Sequence, residues 1–257
     1  MPGLLAGVAT GLAGGFASGL LGVSPGGGLV VFSVLLLGAE QHAAQGISLV
    51  AQIPPTSLAA IRRYWQKGSR SPLRWLMVLT IGFIAGGVIG AYGASFASSK
   101  FLQWTYVAYL IVLDAMLILR RERKETEEPQ AASPDLHWLA LSIVGLLAGL
   151  SSGFMGIGGG LATVVGLSAV LRVPQHQAQM ASLVLSLIPT TIPSAWVYWQ
   201  QGWSSPWPVL IGVIAGLIVG NDIGARLANR VDRSALHVMM VFFVSAMVLY
   251  MAWKALS

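Results

Sequence analysis

The sequence predicts an all-α polytopic membrane protein made of two inverted repeats, and three observations predict it. The 257 residues are 55% hydrophobic and only 9% charged, against about 25% charged in an ordinary soluble domain. Nine acids and fifteen Lys/Arg are too few to solvate the surface of a soluble body of this length. The apolar residues also fall into blocks, most of them near the ~20 residues that cross a bilayer. Finally, a constant shift of 134 residues lays the second half of the chain on the first. Hydrophobicity of this order excludes a disordered chain. The absence of Cys excludes a disulfide framework and any thiolate metal centre.

Ten apolar blocks follow one another: 3–23, 26–39, 43–61, 73–97, 101–119, 136–157, 158–171, 177–199, 207–225 and 235–253. The first opens with Met-Pro-Gly-Leu-Leu-Ala and has no basic n-region, so it reads as a retained span rather than a cleaved signal. Blocks 26–39 and 158–171 have 14 residues each, about 21 Å at 1.5 Å per residue, short of a roughly 30 Å core. Each follows a glycine cluster, so each half is expected to begin with a helix, a break, and a half-helix or re-entrant piece. Blocks 43–61 and 177–199 carry Pro54, Pro55 and Pro189, which break helices and free carbonyls near Thr56 and Thr190. Blocks 73–97 and 207–225 carry glycines at fourfold spacing, and 101–119 and 235–253 close the halves. Residues 120–135 are charged, contain two prolines and have no apolar period. They divide the chain into a first transmembrane repeat, 1–119, a cytoplasmic linker, 120–135, and a second repeat, 136–257.

Basic residues orient the blocks. Arg62, Arg63, Lys67, Arg70, Arg74, Arg120, Arg121, Arg123, Lys124, Arg172, Arg226, Arg230 and Arg233 all fall on one side if the blocks alternate, leaving Lys100 and Lys254 on the other. The positive-inside rule makes the richer side cytoplasmic and puts both termini on the non-cytoplasmic side of a cell (inner) membrane. Trp and Tyr near block ends, such as Trp75, Trp104, Trp138, Trp199 and Trp207, suit the headgroup layer. The net charge of +6 is therefore read as topology, with no nucleic-acid partner.

Within the repeat, Gln41-His42-Ala43-Ala44-Gln45 meets Gln175-His176-Gln177-Ala178-Gln179, and 13 of 28 positions across 41–68 are identical to their mates. Ser18, Gly19 and Gly22 meet Ser152, Gly153 and Gly156; Gly82, Gly86 and Gly90 meet Gly216, Gly220 and Gly224. An odd number of crossings per half inserts the second half upside down. The loop charges agree: five bases follow the third block and none its mate. Inverted repeats with paired interruptions are a signature of secondary transporters, with the site near the midplane.

Three sets of residues could carry chemistry. The glycine clusters, with Ser24, Gly26, Gly27 and Gly28 in one half and Gly158, Gly159 and Gly160 in the other, let a half-helix aim N–H groups inward and bind an anion without a buried cation. Close helix packing through small residues is the competing role. The second set is a polar stripe: His42, Gln45, Ser48 and Gln52 share one helix face, as do His176, Gln179, Ser182 and Ser186. Polar groups at membrane depth either line a route or bond helices together. The third set is acidic: Asp222, four before Arg226, and Asp114, each a structural clamp or a carrier of a coupling proton. Gly22-Val23-Ser24-Pro25-Gly26 matches the G-x-S-x-G nucleophile elbow with His42 as an imagined base. That elbow needs a strand-to-helix turn, and the mate of Ser24 is Gly158, so an intramembrane serine hydrolase is disfavoured and no enzyme is expected. No metal-ligand motif or P-loop is present, and neither a metal nor a cofactor is expected.

The glycine-rich break in each half, the Gln–Ser–Pro-Thr segment, and Gly-x-x-x-Gly-x-x-x-Gly-Ala at 82–91 and 216–225 resemble the TauE/SafE (TSUP) sulfite and organosulfonate exporter family. The resemblance covers the chain apart from the linker, and departs from the family's Gly-Gly-Gly run where Ser24-Pro25 stand in the first half. It implies secondary transport, without ATP hydrolysis, of a small sulfur-containing anion such as sulfite, sulfoacetate or another organosulfonate, in the direction of export. An anion channel and a membrane scaffold or assembly factor are the alternatives. The anion and the lipid bilayer are the expected partners, with proton coupling an added role; the residues do not fix the oligomeric state.

Overall fold

The computed structural model describes residues 2–21, 24–55, 72–119, 137–173, 175–203, 205–228, 230 and 233–256. Among these, all regular structure is helical. The first half supplies α1 (Pro2–Leu21), α2 (Gly26–Leu37), α3 (Gln41–Ala51), α4 (Leu73–Ser95) and α5 (Ser99–Leu119). The second supplies α6 (Trp138–Met155), α7 (Gly160–Val165) running into a π-helical turn (Gly166–Val170), α8 (Gln175–Leu187), α9 (Ile192–Gln200), α10 (Trp207–Ala228) and α11 (Arg233–Leu256). The starts of α2, α3, α4 and α5 recur 134 residues later as the starts of α7, α8, α10 and α11. Helices α1, α4, α6 and α10 are long and apolar enough to cross a membrane. The linker, the bases Arg62, Arg63, Lys67 and Arg70, and Thr56 lie outside the described residues.

Several boundaries differ from the sequence reading, for local reasons. The block 43–61 ends as helix at Ala51, and Gln52 through Pro55 form a turn ahead of the Pro54-Pro55 pair. The block 177–199 forms two helices, α8 and α9, parted at Pro189, the break that this proline leads one to expect. At 11 and 13 residues, α3 and α8 reach about 17 and 20 Å. The 12 residues of α2 and the six of α7 are shorter than a bilayer core, as their glycine-led starts led one to expect. Gly156, Gly158 and Gly159 all have positive φ (70°, 76° and 62°), a conformation that side chains resist. The first break cannot copy this, because Pro25 stands opposite Gly159 with φ −67°. A left-handed cap also recurs: Gly38 (φ 61°) ends α2, and its mate Arg172 (φ 54°) follows the π turn.

The helices are held by exchange between the halves. Helix α1 runs parallel to α10. A Cβ on Gly7, Gly11, Gly15 or Gly19 would strike the backbone of Val209, Val213, Leu217 or Asn221, and Gly212, Gly216, Gly220 and Gly224 face Leu4, Val8, Leu12 and Phe16 in return. The same contacts recur with the halves interchanged, where α4 meets α6. There Gly82, Gly86 and Gly90 face Ser142, Leu146 and Leu150, while Gly145, Gly149 and Gly153 face Leu79, Phe83 and Gly87. The glycines bring backbones close enough for dispersion along the whole contact, which is how helices associate where lipid competes for apolar surface. Between these two seams, Trp75, Leu79, Phe83, Leu141, Leu167 and Leu185 form one buried cluster, and Tyr106, Val107, Leu110, Met247 and Met251 belong to another.

Candidate functional site

The two glycine breaks meet at the centre of the bundle. A Cβ on Gly26 would strike the backbone of Ile157, and one on Gly160 would lie 2.7 Å from Ser24 Cβ. Ser24 Oγ donates to Gln52 Oε1 (2.9 Å) and lies 3.3 Å from Ile157 O. Ser48 Oγ sits between the breaks, 2.6 Å from Gly156 O and 3.3 Å from Gly26 O. Gln52 Nε2 donates to Ser48 O (2.9 Å) and also approaches Ser48 Oγ and Gly156 O. In the second half Ser182 Oγ donates to Gly160 O (3.0 Å), the counterpart of Ser48 to Gly26 O, and Ser186 Oγ donates to Ser182 O (3.0 Å). Of these acceptors, Gly156 O and Ile157 O lie past the end of α6, where the break leaves carbonyls outside the helix and Ser48 and Ser24 supply partners; Gly26 O, Gly160 O and Ser182 O lie within helices and gain a second bond.

A cavity of about 20 Å³ lies on one side of this junction. Such a volume suits about one water. Gln52, Gly158, Gly160, Ser182, Ser186 and Thr191 line it, and Phe83, Leu185, Ile188 and Thr190 complete it. Gln52 and Ser186 are repeat mates, so the two halves share the wall. A second cavity, of about 30 Å³, lies on the other side of Ser24, against Gly27, Gly28, Tyr109 and Leu113. Gly27 O accepts from Tyr106 Oη at 2.5 Å, which fixes the start of α2 against α5. Among the described residues, no Lys, Arg or His lines either cavity and no cluster able to hold a metal occurs.

The structure spreads the expected site residues over several roles. Ser24, Gly27 and Gly28 border the second cavity; Gln52, Gly158, Gly160, Ser182 and Ser186 border the first. Gly26 and Gly159 are packed, with Phe83 filling the space beside Gly159. His42 stands apart from them. Its Nδ1 lies 3.2 Å from Ser99 Oγ, its Nε2 lies 3.1 Å from Ala94 O, and its ring stacks on Trp203 at 4.0 Å. Both ring nitrogens are thus engaged away from Ser24, the arrangement that a Ser–His pair would not have. Gln45 Oε1 accepts from Tyr198 Oη at 2.8 Å. His176 and Gln179 belong to α8, but their side chains lie outside the description. Asp114 Oδ2 accepts from Ser245 Oγ at 2.7 Å, joining α5 to its mate α11, while its Oδ1 is buried and unpaired. Asp222 pairs with Arg226 at 2.6 Å with both side chains more than half exposed. The i, i+4 clamp is therefore present at Asp222.

Sequence reasoning missed Phe83, Leu185, Ile188 and Thr191 as cavity-lining residues and gave Thr190 only a helix-breaking context. The Pro189-Thr190-Thr191 run was the available signal, since a break after a polar stripe points its hydroxyls at whatever the stripe faces. A family model described as "Sulfite exporter TauE/SafE" matches residues 7–251. A curated protein of Xylella fastidiosa (strain 9a5c), described as "Probable membrane transporter protein", is 31% identical over 176 residues, 66% of this chain and 64% of that protein. The chain thus matches less than two thirds of that relative's length.

Proposed function

Since the chain belongs to the sulfite exporter TauE/SafE family, a family of multi-pass membrane transporters, we propose that it moves a small sulfur-containing anion, sulfite or an organosulfonate, out of the cell by alternating access. The observation that carries this reading is the central junction, where two glycine breaks from opposite halves meet beside a cavity lined by hydroxyls, the Gln52 amide and apolar side chains, with no charged residue among the described lining. Neutral donors suit a compact oxyanion whose three oxygens accept from several directions. In this reading the halves are inserted upside down relative to one another, with both termini on the non-cytoplasmic side of the inner membrane. The reciprocal contacts of α1 with α10 and of α6 with α4 supply two similar bodies that rock about the junction. The present cavity is too small for a sulfonate, so loading requires that motion.

Coupling to protons or to the membrane potential belongs to the same reading. An inside-negative potential by itself drives an anion outward. Asp114 is the carboxylate placed between two repeat-related helices, and Asp222 is already matched by Arg226. The test is counterflow in proteoliposomes loaded with sulfite, isethionate or sulfate. Saturable uptake of labelled sulfite or isethionate, accelerated by the same anion on the far side, is the expected result. Flux that is fast, unsaturable and indifferent to the far side would replace the carrier by a channel, and no flux of any anion would leave a scaffold.

A further inference from the structure

Three side-chain donors around the first cavity are already committed. Gln52 Nε2 is spent on Ser48, Ser182 Oγ on Gly160 O, and Ser186 Oγ on Ser182 O. Thr191 also lines this cavity, is 6% exposed, and its Oγ1 has no hydrogen-bond partner. Among the buried side-chain atoms without a partner in the described residues, it alone belongs to a residue lining either cavity. A buried Thr usually closes this account by bonding back to the carbonyl four residues earlier. Thr10 does so to Ala6 O and Thr163 to Gly159 O, both at 2.9 Å. Thr191 sits at the N-cap of α9, where a Thr oxygen ordinarily accepts from the second or third helical N–H. It makes no such bond, and Pro193, within the first two helical positions, offers no N–H to take.

We infer that Thr191 is a direct ligand of the transported anion, its hydroxyl donating to an oxygen seated in the cavity at the start of α9. The nine-residue α9 presents the positive end of its dipole to the same place. Thr190, 4% exposed, stands beside Thr191 in the wall. The ligand class is a small oxyanion bearing a sulfur–oxygen group, accepted through neutral donors. This inference rests on the anion-transport reading, and it assigns the recognition to the 189–191 break rather than to the glycine clusters alone.

The test uses the full chain, purified in detergent, with sulfite and isethionate titrated against thermal stability and by calorimetry. Thr191→Val keeps shape and removes the hydroxyl. Without anion it should be at least as stable as the parent, because removing an unsatisfied buried polar group is neutral or favourable. Its affinity for the anion should fall by about tenfold or more, the usual weight of a hydrogen bond to a charged acceptor. Thr191→Ser should bind within a few-fold of the parent, and it serves with Thr191→Ala as the comparison if the valine variant does not fold. Parental affinity in the valine or alanine variant overturns the assignment and leaves the transport reading standing. Loss of binding in the serine variant equal to that in the hydroxyl-free variant also overturns it, since the methyl rather than the hydroxyl would then matter. Absence of binding in the parent itself refutes the anion reading beneath it.

Discussion

Replacing Gly145 by Ala tests whether the glycine seams hold the molecule together. A Cβ at this position would lie 2.6 Å from Leu79 O, 3.1 Å from Leu79 Cα and 3.2 Å from Leu79 C. All three are backbone atoms of α4, so no rotamer change relieves the contact. An ordinary carbon–oxygen approach is about 3.3 Å or more, which requires α4 and α6 to part by roughly 0.7 Å. A gap of that size forfeits a quarter to a half of the dispersion energy of each atom pair across it. Leu79, Phe83, Val144 and Ala148, all buried at this seam, lose contacts together. The overpacking cost is about 1–3 kcal/mol, against which Ala returns somewhat under 1 kcal/mol of helix propensity. The net loss of up to about 2 kcal/mol lowers the melting temperature by up to roughly 8 °C for a chain of this size. Gly93→Ala is the control on α4. Its nearest neighbour is a Phe154 ring carbon at 3.6 Å, so only the propensity gain remains and stability should hold or rise. Thermal unfolding of both variants in one detergent decides the matter. Equal melting temperatures would refute the claim that backbone proximity, rather than glycine's occurrence in membrane helices, explains the seams.

Three further outcomes follow from the geometry. Tyr198→Phe removes the donor to Gln45 Oε1 and Gly153 O and leaves Gln45 wholly buried with no partner at either end; stability should fall by about 1–3 kcal/mol while anion affinity, read by calorimetry, changes little. Arg172→Gly relieves a left-handed φ of 54° and should raise the melting temperature by the equivalent of roughly 0.5–1 kcal/mol after glycine's entropy is charged; no gain would mean that the Arg side chain compensates. Asp114→Asn keeps an acceptor for Ser245 Oγ and should retain anion binding but lose acceleration of flux by an imposed pH gradient in proteoliposomes; a response equal to the parent's would place coupling elsewhere.

Much of the architecture was legible before any coordinates. The 134-residue shift foretold the helix starts, because each start is set by local signals that were duplicated with it: glycine clusters, Gln-His dipeptides and proline-led caps. Composition alone gave the helical class. What the residues could not give was the identity of partners far along the chain. Ser48 meets Gly156 O, 108 residues away, and Tyr198 meets Gln45, 153 residues away. The polar stripe was therefore visible, but not that Ser48 spends its hydroxyl on backbone and Gln45 its oxygen on a tyrosine while Gln52 reaches the cavity. Fourfold glycine spacing likewise announced close approach without naming the opposing helix. Thr191 escaped notice because a hydroxyl at a helix start reads as a cap, and only the observed geometry shows the cap bond unmade.

The exchange of helices between halves has a consequence for the order in which the protein is made. The glycine face of α1 finds its partner only when α10 emerges, roughly 200 residues later, which at ribosomal rates is about 10–40 s. The face of α4 meets α6 after a far shorter wait. The α4–α6 seam therefore closes first during synthesis. Helix α1, made well before α4, is locked after it, and in the interval its small-residue surface is open to lipid or to the insertion machinery. A chain halted within the linker would carry two such open faces and no means of closing either.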